Sequence, residues 1–161
     1  MKKFLLALFA TLLFVGCGSE PVKATETKLV VGKSLSDLSL KDQNDKVHPI
    51  DADTKKVVFA FSKDVGHSCN EYFASKGENY LKDNKIQFVA DLSSAPSIIR
   101  SMFILPGLKD FKHTVLIITD KAISANYKPE TNSDKVVVVE LDNKKITAIN
   151  YLNSIEDLDK K

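Results

Sequence analysis

Three apolar runs of strand length constrain what this chain can fold into: Val57–Ser62 (VVFAFS), Ile86–Leu92 (IQFVADL) and Thr114–Thr119 (TVLIIT). Runs this continuous suit strands covered on both faces, whereas half-exposed strands alternate apolar with polar. The segments between them carry helical spacing. Over Asn70–Asn84, Phe73, Gly77 and Leu81 fall in one stripe with Tyr72 and Tyr80 beside it, which predicts a helix weakened at its glycine. Ser94 is placed to cap a second helix with Pro96 in its first turn. Ile98, Ile99, Met102 and Phe103 form the apolar face of that helix, and Pro106-Gly107 ends it. Arg100 reads as a surface charge there, and Phe103, Ile104 and Leu105 read as core packing more than as a partner-binding edge.

The flanks add antiparallel pieces. Asp37–Leu40 alternates, runs into the turn-rich Lys41–Lys46, and is followed by Val47–Ile50, a short hairpin. Lys121–Lys128 is a short helix or link. Val136–Leu141 and Ile146–Leu152 flank Asp142-Asn143-Lys144-Lys145 as a second hairpin, and Ser154 with Glu156 and Asp157 opens a last helix. Strand and helix alternate before the final hairpin. The predicted fold class is therefore α/β, a mixed central sheet with helices on both faces and an N-terminal hairpin extension.

The first residues speak to destination. Met1-Lys2-Lys3 is basic, Phe4–Gly16 is apolar and free of charge, and Cys17 follows a small residue. This is the layout of an export signal. Thirteen residues of helix would span only ~20 Å, short of a ~30 Å hydrocarbon core. Phe14-Val15-Gly16-Cys17 resembles the lipobox of bacterial lipoproteins, with Phe14 where leucine is usual. The resemblance implies that residues 1–16 are removed and that Cys17 takes acyl chains as the mature N-terminus. Residues 17–28 then read as a lipidated end and flexible tether, and 29–161 as the domain. The implied location is a bacterial membrane facing the periplasm. Gly18 lacks the aspartate that marks inner-membrane retention, which favours the outer membrane in a Gram-negative cell.

Loss of the leader takes two lysines. Lys and Arg fall from 23 to about 21, against 21 Asp and Glu, so the formal charge of +2 falls to about zero. A neutral domain of dispersed charges has no electrostatic footprint for nucleic acid. The lipid would be the membrane contact, and a protein or thiol the remaining class of partner. Of the two cysteines, Cys69 alone is left in the domain, so no internal disulfide can form. An unpaired thiol in an exported chain is either buried and inert or reactive toward something outside the chain.

Phe59–Phe73 (FAFSKDVGHSCNEYF) resembles the active-site approach of the thioredoxin-like superfamily, in which a buried strand, a short loop and a helix N-terminus present a cysteine. A helix N-terminus favours the thiolate. Where that superfamily carries C-x-x-C, this chain reads Gly66-His67-Ser68-Cys69. The peroxiredoxin pattern P-K-D-x-T-x-x-C also resembles Ser62-Lys63-Asp64-Val65-Gly66-His67-Ser68-Cys69, with serine for the proline and glycine for the threonine. Val31 to Asn44 resembles the N-terminal hairpin of redoxins, and Lys135 to Ile146 their closing hairpin. Before that hairpin, Ser133-Asp134-Lys135 contains neither the family's proline nor its arginine. Lys135, a point charge, stands nearest.

The resemblance thus implies a redoxin-type domain with a degenerate active site. Two functions follow from it. One is a membrane-anchored binding or accessory module that has lost C-x-x-C chemistry. The other is a one-cysteine thiol oxidoreductase or peroxidase in which Cys69 reacts, His67 raises its thiolate fraction and Lys135 assists, with an external thiol as reductant. No cofactor is implied. A metal site would need His67 and Cys69 to converge with His48 or His113, and the copper carriers of this fold use a second cysteine that is missing here.

Overall fold

The computed structural model describes residues 27–160. The expected leader, Cys17 and most of the expected tether lie outside the described residues. Seven strands form one sheet: β1 (Ser39–Asp42), β2 (Val47–Pro49), β3 (Lys56–Ala60), β4 (Ile86–Asp91), β5 (Leu116–Ile118), β6 (Val136–Asp142) and β7 (Lys145–Leu152). Their order is β2-β1-β5-β4-β3-β6-β7. The three strands drawn from the apolar runs, β3, β4 and β5, lie side by side and parallel. The two hairpins close the sheet antiparallel, β1 against β5 and β6 against β3.

Alternation along each strand feeds two cores. Val58, Ala60, Phe88, Ala90, Val136 and Val138 face one side; Val57, Phe59, Val89, Val137 and Val139 face the other. Helices therefore cover both faces, as the buried runs require.

The helix after β3 differs from the sequence expectation. α1 spans Lys63–Lys76 rather than beginning at Asn70. Ser62, in extended conformation, accepts the Val65 N–H on its hydroxyl at 3.4 Å, and Asp64 sits in the favoured first turn. Val65, Cys69, Tyr72 and Phe73 then fall at helical spacing against the first core. Gly77 is not inside a helix. It takes φ 97°, ends α1, and a separate turn, α2 (Tyr80–Asp83), follows. A β-carbon disfavours that backbone angle, so glycine is the stop signal. The 73/77/81 spacing mimicked one continuous stripe because both pieces pack on the same core.

The second helix is more irregular than its pattern. It starts after Pro96 as α3 (Ser97–Ile99), becomes a π-helical segment over Arg100–Ile104, and runs on through α4 (Leu105–Leu108). Ser94 does not cap it, and Pro106-Gly107 does not end it. A proline after a π turn is tolerable because the Leu105 N–H already reaches back to the Arg100 carbonyl and the ladder is offset. α5 (Lys121–Tyr127), capped by Asp120, covers the other face, and a 3₁₀ turn at Ile155–Lys160 docks on α1. Thr27 and Lys28 hydrogen-bond to the Asn126 carbonyl.

Candidate functional site

The site lies at the carboxyl ends of β3 and β4, the end at which open α/β sheets receive ligands. From β3 the chain passes through Ser62 into α1; from β4 it passes through Leu92–Pro96 into α3. The two helices stand apart and leave a groove of about 600 Å³. Its floor is Ala60, Ala90, Leu108 and Phe111, one wall is Lys63, Gly66, His67 and Asn70, and the other is Ile99, Phe103 and Ile104. A cleft of this size, apolar with a few polar groups, matches a small-molecule or side-chain site. Gly66 leaves room in the wall: a β-carbon there would meet only Ala60 Cβ, at 4.0 Å.

Cys69 is not at the helix N-terminus. It is the seventh residue of α1, turned into the core and 0% exposed. Burial, with Glu156 as a lesser influence, pushes its thiol up to about 12. The N-terminal dipole invoked for a thiolate acts only within the first turn, and the Ser62 cap places that turn well before the sulfur. His67 lies two residues away, hence about 200° around the helix. It is exposed and paired with Glu71 at 3.1 Å, so it cannot serve the sulfur on the opposite side. Lys135 is half-buried just before β6. The register of Val137 opposite Phe59 carries it to the level of Phe61, at the same end of the sheet but outside the groove wall. His67 alone of these three lines the groove. Among the described residues no three His, Cys, Asp or Glu side chains gather as a metal site.

Asn70 and Asp91, not singled out in the sequence, shape this end together with His113 and Arg100, whose roles differ from their sequence readings. Asn70, 5% exposed, donates to the Gly66 carbonyl at 2.9 Å, and its Oδ1 lies 3.1 Å from His113 Nε2. Because the amide nitrogen is committed to a carbonyl, Nε2 must be the protonated nitrogen of His113. His113 is 1% exposed, and among the described residues its Nδ1 has no partner. Burial lowers its basicity, which keeps it neutral. Asp91 ends β4, buried, and accepts the Ser93 N–H at 2.9 Å and the Ser124 hydroxyl at 2.6 Å. Its place at the end of an apolar strand was the available signal. Arg100 is no simple surface charge: its Nη1 donates to the carbonyls of Leu92 at 3.1 Å and Ala95 at 3.3 Å, tying down the loop that leaves β4.

The apolar residues of this second helix also divide unexpectedly. Ile104 and Leu105 pack on the core, as their sequence reading has it. Ile98, Ile99, Met102 and Phe103 are instead exposed. The inward position between them is taken by Arg100 and its carbonyls, so the expected apolar face points outward.

No protein-family model matches the chain, and no curated protein matches it in sequence. Solved structures match in shape. A structure described as a thioredoxin from Neisseria meningitidis aligns over 76% of this chain and 83% of its own, with TM-score 0.53 and 17% identity. A thio-disulfide isomerase from Thermus thermophilus aligns over 82% and 94%, with TM-score 0.51 and 15% identity. A peroxiredoxin-like protein from Aquifex aeolicus aligns over 81% of each chain, with TM-score 0.50 and 10% identity. With the strand order and the helix following β3, these likenesses identify the mixed sheet of this chain as a thioredoxin-like fold.

Proposed function

We propose that this chain is an exported, lipid-anchored module that acts by binding and has given up the thiol chemistry associated with its fold. The observation that carries this reading is the state of Cys69. A working thiol must be reached and must ionise; this sulfur is sealed beneath α1 and its proton is held far above the ordinary thiol range. Gly66, on the groove wall, supplies no second thiol and leaves the groove open. The groove offers an apolar floor with His67, Lys63 and Asn70 on one wall, a fit for an apolar side chain or small apolar molecule with one polar end.

Anchoring rests on Phe4–Gly16 and the Cys17 that follows. Cys17→Ala in the full chain is expected to abolish acylation and release the protein from the membrane fraction. Unchanged processing and retention would overturn the anchor. For the binding reading, full chain supplied with dithiothreitol is expected to turn over neither peroxide nor an insulin disulfide. Turnover that disappears in Cys69→Ser would restore the one-cysteine enzyme.

A further inference from the structure

We infer that the outward crest of Ile98, Ile99, Met102 and Phe103 rests on the lipid bilayer and holds the mouth of the groove at the membrane surface. The inference depends on the lipid anchor proposed above. Its starting point is the inverted helix. The four side chains are 65%, 44%, 64% and 64% exposed, while Arg100, between them in sequence, turns inward to three backbone carbonyls. Contiguous large apolar groups left in water mark a surface that something else covers. The π-helical segment fixes this arrangement, since its offset lets Ile104, Leu105 and Leu108 reach the core while the preceding turn faces out.

The length of chain before Thr27 bears on what can cover it. About ten residues separate Cys17 from Thr27, and extended they reach at most ~35 Å. A domain of this size has a radius of gyration of ~14 Å, or a diameter of ~36 Å. The tether when extended is therefore about one domain diameter long, enough for the crest to meet the bilayer although Thr27 is held at Asn126 on the other face of the sheet. A tethered contact of this kind needs little intrinsic affinity. Chemistry agrees: four exposed apolar side chains on one short helical segment suit insertion of ~5–10 Å into the headgroup boundary. Neither Asp nor Glu occurs between Asp91 and Asp110, so no carboxylate on this helix opposes anionic headgroups.

The chain contains no tryptophan, so one introduced indole reports alone. Full-length Phe103→Trp protein, processed and acylated, is reconstituted in vesicles of phosphatidylethanolamine and phosphatidylglycerol. The expected result is blue-shifted emission, quenched by brominated lipids. Tyr151→Trp, on the opposite face of the sheet and 40% exposed, should show neither effect. Ile98→Trp gives a second reporter should the first fold poorly. Vesicle flotation separates the two readings. Protein that fails to float overturns the anchor and the crest together. Protein that floats with a water-like, unquenched indole at both crest positions overturns the crest alone and assigns it to a protein partner.

Discussion

Cys69 gives the most direct test of a binding role, through its alkylation rate in the native chain. At about pH 8 an ordinary thiol is roughly one-quarter ionised, whereas one with a value near 12 is ionised to ~10⁻⁴. The more basic thiolate regains about 50-fold in intrinsic nucleophilicity, so ionisation alone leaves a deficit of roughly 50-fold. Access sets the rate. With the sulfur 0% exposed, reagent must wait for α1 to lift; the thiol then ionises as it does in the unfolded chain, so an opening that costs ~4 kcal/mol by itself slows labelling ~10³-fold. Native protein should thus react with iodoacetamide about 10³-fold more slowly than the same chain unfolded in guanidinium chloride, followed by mass spectrometry. The pH dependence has a definite sign. The folded state holds the thiol proton more tightly than the unfolded state, so this group stabilises the fold fully below the ordinary thiol value. That contribution then declines by about 1.4 kcal/mol per pH unit as pH rises toward 12. Native labelling within tenfold of the unfolded rate would refute both the burial argument and the binding reading built on it.

Gly66→Ala should stabilise the protein by about 0.5–1 kcal/mol, since glycine is poor within a helix and the new methyl meets only Ala60; for a chain this size that is ~2–4 °C in Tm. A lower Tm would mean that the groove wall has no space. Asn70→Leu should cost about 1–3 kcal/mol by stranding the buried His113 Nε2–H, read from urea midpoints; a neutral result would show that this bond contributes nothing. For His113, burial depresses the folded value, so the unfolded chain takes up the proton first. Its contribution is complete above about pH 6.5 and is lost as pH falls toward the folded value. His113→Gln should flatten that part of the stability profile, and an unchanged slope would remove His113 as its source.

The fold was legible because the strands announce themselves chemically. Three runs too apolar to face water on either side force a covered parallel sheet, and the turn-rich Lys41–Lys46 and Asp142–Lys145 force hairpins at its ends. The resemblance of Phe59–Phe73 to a redoxin approach adds the position of the groove. Helix limits were less legible because spacing alone does not reveal where a backbone angle breaks. Gly77 sits on the stripe yet stops the helix, and Lys63–Ser68 looks like loop until the Ser62 hydroxyl is seen capping it.

Side-chain direction was decided by tertiary structure. Sequence determined by itself that there is one cysteine in the domain, that Gly66 brings no second thiol, and that Ile98–Phe103 is apolar at helical spacing. Whether that cysteine meets water depends on how far α1 has turned by its seventh residue, and whether that apolar stripe meets the core depends on a π turn and on Arg100 claiming the inside. Both are matters of rotation about a helix axis, where a shift of one residue turns a side chain by about 100°, and only contacts distant in the chain fix that rotation.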